Sequence, residues 1–133
     1  MESNDILISG ARIWESHHDV LSPHAVALRI RNGRIFALGR EALAPGPAAR
    51  TVDLTGRVLI PGLIDAHVHL ELDPLLSTPA EQLAVAPSAR RRAMAERARA
   101  MLVHGITTAR DCGGGDFHEH ALRAQIDSGE RLG

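Results

Sequence analysis

The chain has 133 residues, room for one ordinary core, with 44 % hydrophobic and 23 % charged residues and a formal net charge of -1. Only Trp14, Phe36 and Phe117 are aromatic, so surfaces on which bases could stack are scarce, and the near-neutral charge lacks a basic footprint; both argue against a nucleic-acid partner. No apolar run approaches the roughly 18 to 20 residues of a membrane span, and an acidic start (Met1-Glu2-Ser3-Asn4-Asp5) with Cys112 as the single cysteine predicts a cytoplasmic chain without disulfides.

In chain order, the first sixty residues read as short strands over 6–14, 25–31, 34–38 and 52–60, with Asn32-Gly33 as a two-residue hairpin turn. The Pro and Gly content of 42–47 marks a loop, and Pro61-Gly62 ends this small β module. From there the period becomes strand, helix, strand, helix. A strand over 63–70 is followed by Thr78-Pro79-Ala80-Glu81, a capping box with Pro at the first helical position. Ser88 is the expected cap of a second helix running to about His104, with Met94, Ala98, Met101 and Leu102 at helical spacing and Gly105 as its stop. A strand over 106–111 and a helix capped by Asp116 and ending near Gly129 complete the pattern. Two βα units in tandem imply parallel strands.

The pair His67 and His69 stands out. In a strand, residues i and i+2 leave the same face about 7 Å apart along the chain, so the two imidazoles can converge on one ion, and Asp65 shares that face. Neutral imidazole suits zinc and similar divalent metals. The flanking Val58, Leu59, Ile60, Leu63 and Ile64 read as buried, and buried imidazoles require partners.

The string Pro61-Gly62-Leu63-Ile64-Asp65-Ala66-His67-Val68-His69 resembles the first-strand signature of the amidohydrolase superfamily, and Gly105-Ile106-Thr107-Thr108-Ala109-Arg110-Asp111 resembles its second-strand segment. The likeness covers nearly the whole chain and is nearest to imidazolonepropionase-like and Xaa-Pro-dipeptidase-like members. It implies an α/β fold in which a small β-sandwich module (1–61) precedes the first two βα units (62–133) of a (β/α)₈ TIM-type barrel. It also implies one or two divalent ions, zinc foremost, that activate water for attack on an amide or cyclic amide carbonyl of a small-molecule substrate. His67 and His69 are the metal ligands that carry over. The family's remaining ligands, a carbamylated Lys or a Glu, two His and an Asp, come from later strands. This sequence contains no lysine and stops at Gly133, whereas a closed barrel needs eight βα units and roughly 250 residues.

Other polar residues have plainer readings. Asp111 ends the second strand, where it can hold a metal ligand in place, lie beside substrate, or simply serve the turn before Cys112-Gly113-Gly114-Gly115. Those glycines match no phosphate-binding pattern and read as a flexible turn. Glu71 and Asp73 read as solvated loop carboxylates, Cys112 as a small buried hydrophobe, and Arg90-Arg91-Arg92 with Arg97 and Arg99 as the solvated face of a helix. His118 and His120 lie about 200° apart on a helix and do not share a metal easily. His104 suits a helix C-terminus.

The expectation is an N-terminal fragment of a metal-dependent amidohydrolase, inactive alone and completed by the missing C-terminal barrel portion or an oligomer partner. The alternative is a truncated, non-catalytic interaction or pseudo-enzyme module.

Overall fold

The computed structural model describes residues 5–44 and 50–133. The acidic start at 1–4 and the Pro45-Gly46-Pro47 part of the expected loop lie outside them. Backbone contacts divide the chain into two compact units, Met1–Pro61 and Gly62–Gly133.

The first unit is built around β1 (Ile6–Glu15), which pairs antiparallel with β2 (Val20–Leu21) and β3 (Val26–Arg31) and parallel with β5 (Arg50–Asp53) and β6 (Val58–Leu59); β4 (Arg34–Leu38) adds to β3. The hairpin between β3 and β4 turns at Asn32 and Gly33, whose φ values of 51° and 73° are the pair of positive angles that matches strand twist. Expected as one strand, 52–60 is broken into β5 and β6. The cause is local: the Asp53 carboxylate accepts the Thr55 backbone N–H at 2.9 Å and its hydroxyl at 2.7 Å, bending the chain into a turn that Gly56 completes at φ 76°. β1 answers with a bulge between Ile8 and Ala11, where a Cβ on Gly10 would stand 2.4 Å from Thr55 Oγ1. Ala11, Ala27, Leu28 and Ala42 are buried, and Asp5 is held by a two-pronged Arg31 pair at 3.0 to 3.1 Å.

The second unit runs β7 (Leu63–Val68), α1 (Pro79–Ala84), α2 (Pro87–Val103), β8 (Ile106–Asp111) and α3 (His118–Asp127). β7 and β8 are parallel, with Leu63 opposite Ile106 and Val68 opposite Asp111. α1 opens with the full capping box: Thr78 Oγ1 accepts the Glu81 N–H at 3.2 Å and Glu81 Oε2 accepts the Thr78 N–H at 2.9 Å. α2 begins earlier than expected. Pro87 occupies its first turn and Ala86 is the cap residue, so Ser88 has no capping role. His104 ends α2, its Nδ1 hydrogen-bonded to the Ala100 carbonyl at 2.7 Å, and Gly105 turns the chain at φ 87°. The core of this unit is Met94 and Ala98 of α2 with Leu122 of α3, and Leu70, Ala95 and Ile126 pack around them.

The apolar residues flanking the His pair are not buried as the sequence suggested. Val58, Ile60, Leu63 and Ile64 are all exposed, Ile64 at 72 %. Within its unit β7 has extensive contacts with β8 alone, and α2 packs on β8 and α3 instead. Among the described residues no helix is long and apolar enough to cross a membrane.

Candidate metal centre

β7 ends at Val68, so His67 lies in its last turn of pleat and His69 one residue beyond. The alternation of the strand and the bend at its exit bring the two Nε2 atoms to 3.2 Å, with the rings edge to face. The Nδ1 of His69 meets the carbonyl oxygen of Gly113, which can only accept. That contact puts the His69 proton on Nδ1 and leaves the Nε2 lone pair pointing at His67. Two ligand nitrogens that each stand roughly 2.0 to 2.1 Å from one tetrahedral zinc ion are themselves about 3.3 Å apart, so the observed pair fits a shared divalent ion. Both side chains are exposed and open to one.

Asp111 ties the exits of the two strands together. Its Oδ2 accepts the Leu70 N–H at 3.2 Å and its Oδ1 the Gly113 N–H at 2.8 Å, while the Cys112 N–H reaches the Val68 carbonyl at 2.8 Å. The Gly113 carbonyl is thereby held against His69. Asp65 is placed differently: its Oδ1 accepts the His67 backbone N–H at 3.1 Å, bracing the strand exit locally.

A second cluster lies behind the loops. Glu71 is buried, and its Oε1 receives both Arg90 at 2.8 Å and His118 Nδ1 at 2.9 Å; Arg90 also reaches Asp116 Oδ2 at 2.6 Å. Arg91 donates to His118 Nε2 at 3.2 Å, so that nitrogen must accept and Nδ1 carries the proton toward Glu71. One ligand atom each from Glu71, Asp116 and His118 lie within 4.8 Å of one another, a spacing a cation could use. The Arg90 guanidinium already sits among them and supplies the positive charge, so an ion there would have to displace it.

These contacts overturn three sequence expectations. Arg90 is buried rather than solvated because it falls on the same helical stripe as Met94 and Ala98, four and eight residues on. Glu71 is buried because it receives that arginine. Asp116 pairs with Arg90 instead of capping α3, whose cap position is taken by Phe117 in the left-handed region at φ 56° with no side-chain hydrogen bond. The stripe spacing was the available signal for Arg90; nothing local marked its partners. Cys112 is exposed, not a buried hydrophobe. His120 stacks on Phe117 with centroids 6.2 Å apart and does not join His118, and His17, His18, His24 and His104 are exposed.

The second unit is a mixed α/β arrangement of parallel strands and helices, with paired imidazoles at a strand exit. The sequence model of the Amidohydrolase family matches residues 58–132, more than half of the chain, and the chain belongs to that family of metal-dependent hydrolases. It is 42 % identical over 72 residues to imidazolonepropionase of Klebsiella pneumoniae (strain 342), a match covering 51 % of this chain and 17 % of that protein. It is 37 % identical over 98 residues to adenine deaminase of Ruegeria sp. (strain TM1040), covering 71 % of this chain and 13 % of the other. The structure of molinate hydrolase superposes on 100 % of this chain and 29 % of its own, with a TM-score of 0.82 at 27 % identity. The chain therefore spans less than a third of each of these proteins.

Proposed function

We propose that this chain supplies the first metal ligands, His67 and His69, of an amidohydrolase that cleaves C–N bonds of small molecules, its barrel completed by βα units beyond those described. Residues 1–61 are then the small β module and 62–133 the first two βα units of that barrel. The carrying observation is the 3.2 Å approach of the two Nε2 atoms with His69 Nδ1 committed to Gly113. A bound divalent ion, zinc by its match to two imidazoles, would polarise the scissile carbonyl and make water nucleophilic near neutral pH. His67 and His69 would present lone pairs, and the Gly113 carbonyl would keep the His69 proton on the far nitrogen. Asp65 and Asp111 hold the backbone of this exit and stand beside any substrate that enters it.

Two imidazoles alone make an incomplete site. The 133-residue chain should therefore bind zinc weakly and lose it on dialysis, and His67→Ala or His69→Ala should abolish the residual binding. Competition against a chromophoric chelator measures both. One tightly held ion per chain, or unchanged affinity in both variants, overturns the reading. In a complete enzyme carrying these positions, the same substitutions should remove turnover while the melting profile stays intact.

A further inference from the structure

We propose that Arg90 and Glu71 are positioning residues for His69: their buried pair sets the loop whose Gly113 carbonyl fixes the orientation and tautomer of that imidazole. The proposal rests on the metal-centre reading for its purpose, though not for its geometry.

The path is short and each link is a contact. Arg90, on α2, bridges Glu71 of the β7 exit at 2.8 Å and Asp116 of the β8 exit at 2.6 Å, so one guanidinium clamps both loops. Glu71 fills the space beside Gly114: a Cβ there would stand 2.4 Å from the Glu71 Cβ and 2.5 Å from its Oε2. Gly114 can lie this close only because it has no side chain, and its neighbour Gly113 then offers its carbonyl to His69 Nδ1. Asp111 fixes the near side of the same loop, and the Arg90 clamp fixes the far side. Glu71 Oε2 and Arg90 Nε are buried without hydrogen-bond partners, a cost that a surface ion pair would not carry. The pair bears that cost two residues from His69, and the alignment it imposes on the Gly113 loop accounts for it. Outside ligand partners of this kind commonly change metal affinity by about 10- to 100-fold.

The experiment uses ¹⁵N-histidine-labelled chain without metal. Long-range ¹H–¹⁵N spectra should show His69 as the Nδ1–H tautomer. In Arg90→Gln that signature should give way to mixed tautomers, and zinc affinity should fall about 10-fold. Arg90→Lys should regain part of both effects, which loss of fold alone would not produce. Gly114→Ala leaves the ion pair's chemistry untouched but drives a Cβ into Glu71, so it should disturb His69 in the same way; if Arg90→Gln does not fold, this variant decides. An unchanged His69 tautomer in folded Arg90→Gln, or in Gly114→Ala, overturns the proposal. A changed tautomer combined with zinc binding insensitive to His69→Ala would instead discard the metal reading and leave the positioning pair standing.

Discussion

At the level of single residues, two carboxylates are set by the N–H and hydroxyl groups they accept from, Glu81 in the first turn of α1 and Asp53 at the end of β5. Glu81 accepts the Thr78 N–H and hydroxyl and the Ser77 N–H, and these bonds, the Thr78 N–H foremost, hold its carboxyl below its ordinary 4.5. Asp53 is likewise lowered from 3.8 by the Thr55 hydroxyl first and the Thr55 N–H second. Because the folded value is the lower one, the contribution of Glu81 to α1 is complete above 4.5 and disappears as pH falls through the lowered value. A carboxyl NMR titration should place the Glu81 inflection below 4.5, with α1 amides losing helical shifts across the same range. Thr78→Ala should move the inflection back toward 4.5, and an inflection already there in the unaltered chain would remove the capping box as its cause. This box was legible from Thr78-Pro79-Ala80-Glu81 because both halves of the motif sit within four residues. The burial of Glu71 was not, since its partners are 19 and 47 residues away.

The elements show the same division between local and distant causes. β8 spans Ile106–Asp111 as its β-branched run and flanking glycines predict, and Gly105 stops α2 where helical spacing ends. Ser88 and Asp116 failed as caps for different reasons: Pro87 extends α2 past Ser88, and Asp116 is drawn to a guanidinium on another helix. Within α2, Met94 is 1 % exposed and anchors the contact with Leu122 of α3. Met94→Ala should cost about 2 to 5 kcal/mol, read as a lowered denaturation midpoint. A loss under about 1 kcal/mol would mean the α2–α3 core collapses around the gap. Gly62, just before β7, lies against β8 so closely that a Cβ there would run into the Thr107 side chain. Gly62→Ala should therefore cost about 1 to 3 kcal/mol, the usual range for forced overpacking. Gly33→Ala supplies the comparison, an open position where only backbone strain acts.

For the whole molecule, the family was legible because its signature lies in two contiguous strings, each on one strand, whereas the clamp behind it depends on how α2 and α3 dock. Among the described residues fifteen large hydrophobic side chains are exposed, Ile64 at 72 % and Leu75 at 87 % among them. One face of the second unit is an open groove of about 550 Å³ in which Met101, Ile106 and Ile126 lie beside polar Thr107, Arg110, Glu119 and Arg123. The buried core that borders it is small, Met94 with Ala98 and Leu122. Burying one Leu or Ile side chain contributes about 1.5 to 3 kcal/mol, so faces left open represent a large share of a typical domain stability of roughly 5 to 15 kcal/mol. The 133-residue chain should accordingly bind a hydrophobic dye, melt at modest temperature, self-associate as concentration rises, and hydrolyse no amide by itself. Co-expression with a polypeptide carrying later barrel strands should suppress dye binding, raise the melting temperature and yield hydrolysis that His67→Ala removes. A sharp, concentration-independent melt with no dye binding would identify the chain as a self-sufficient domain and favour a non-catalytic interaction module over a portion of an enzyme.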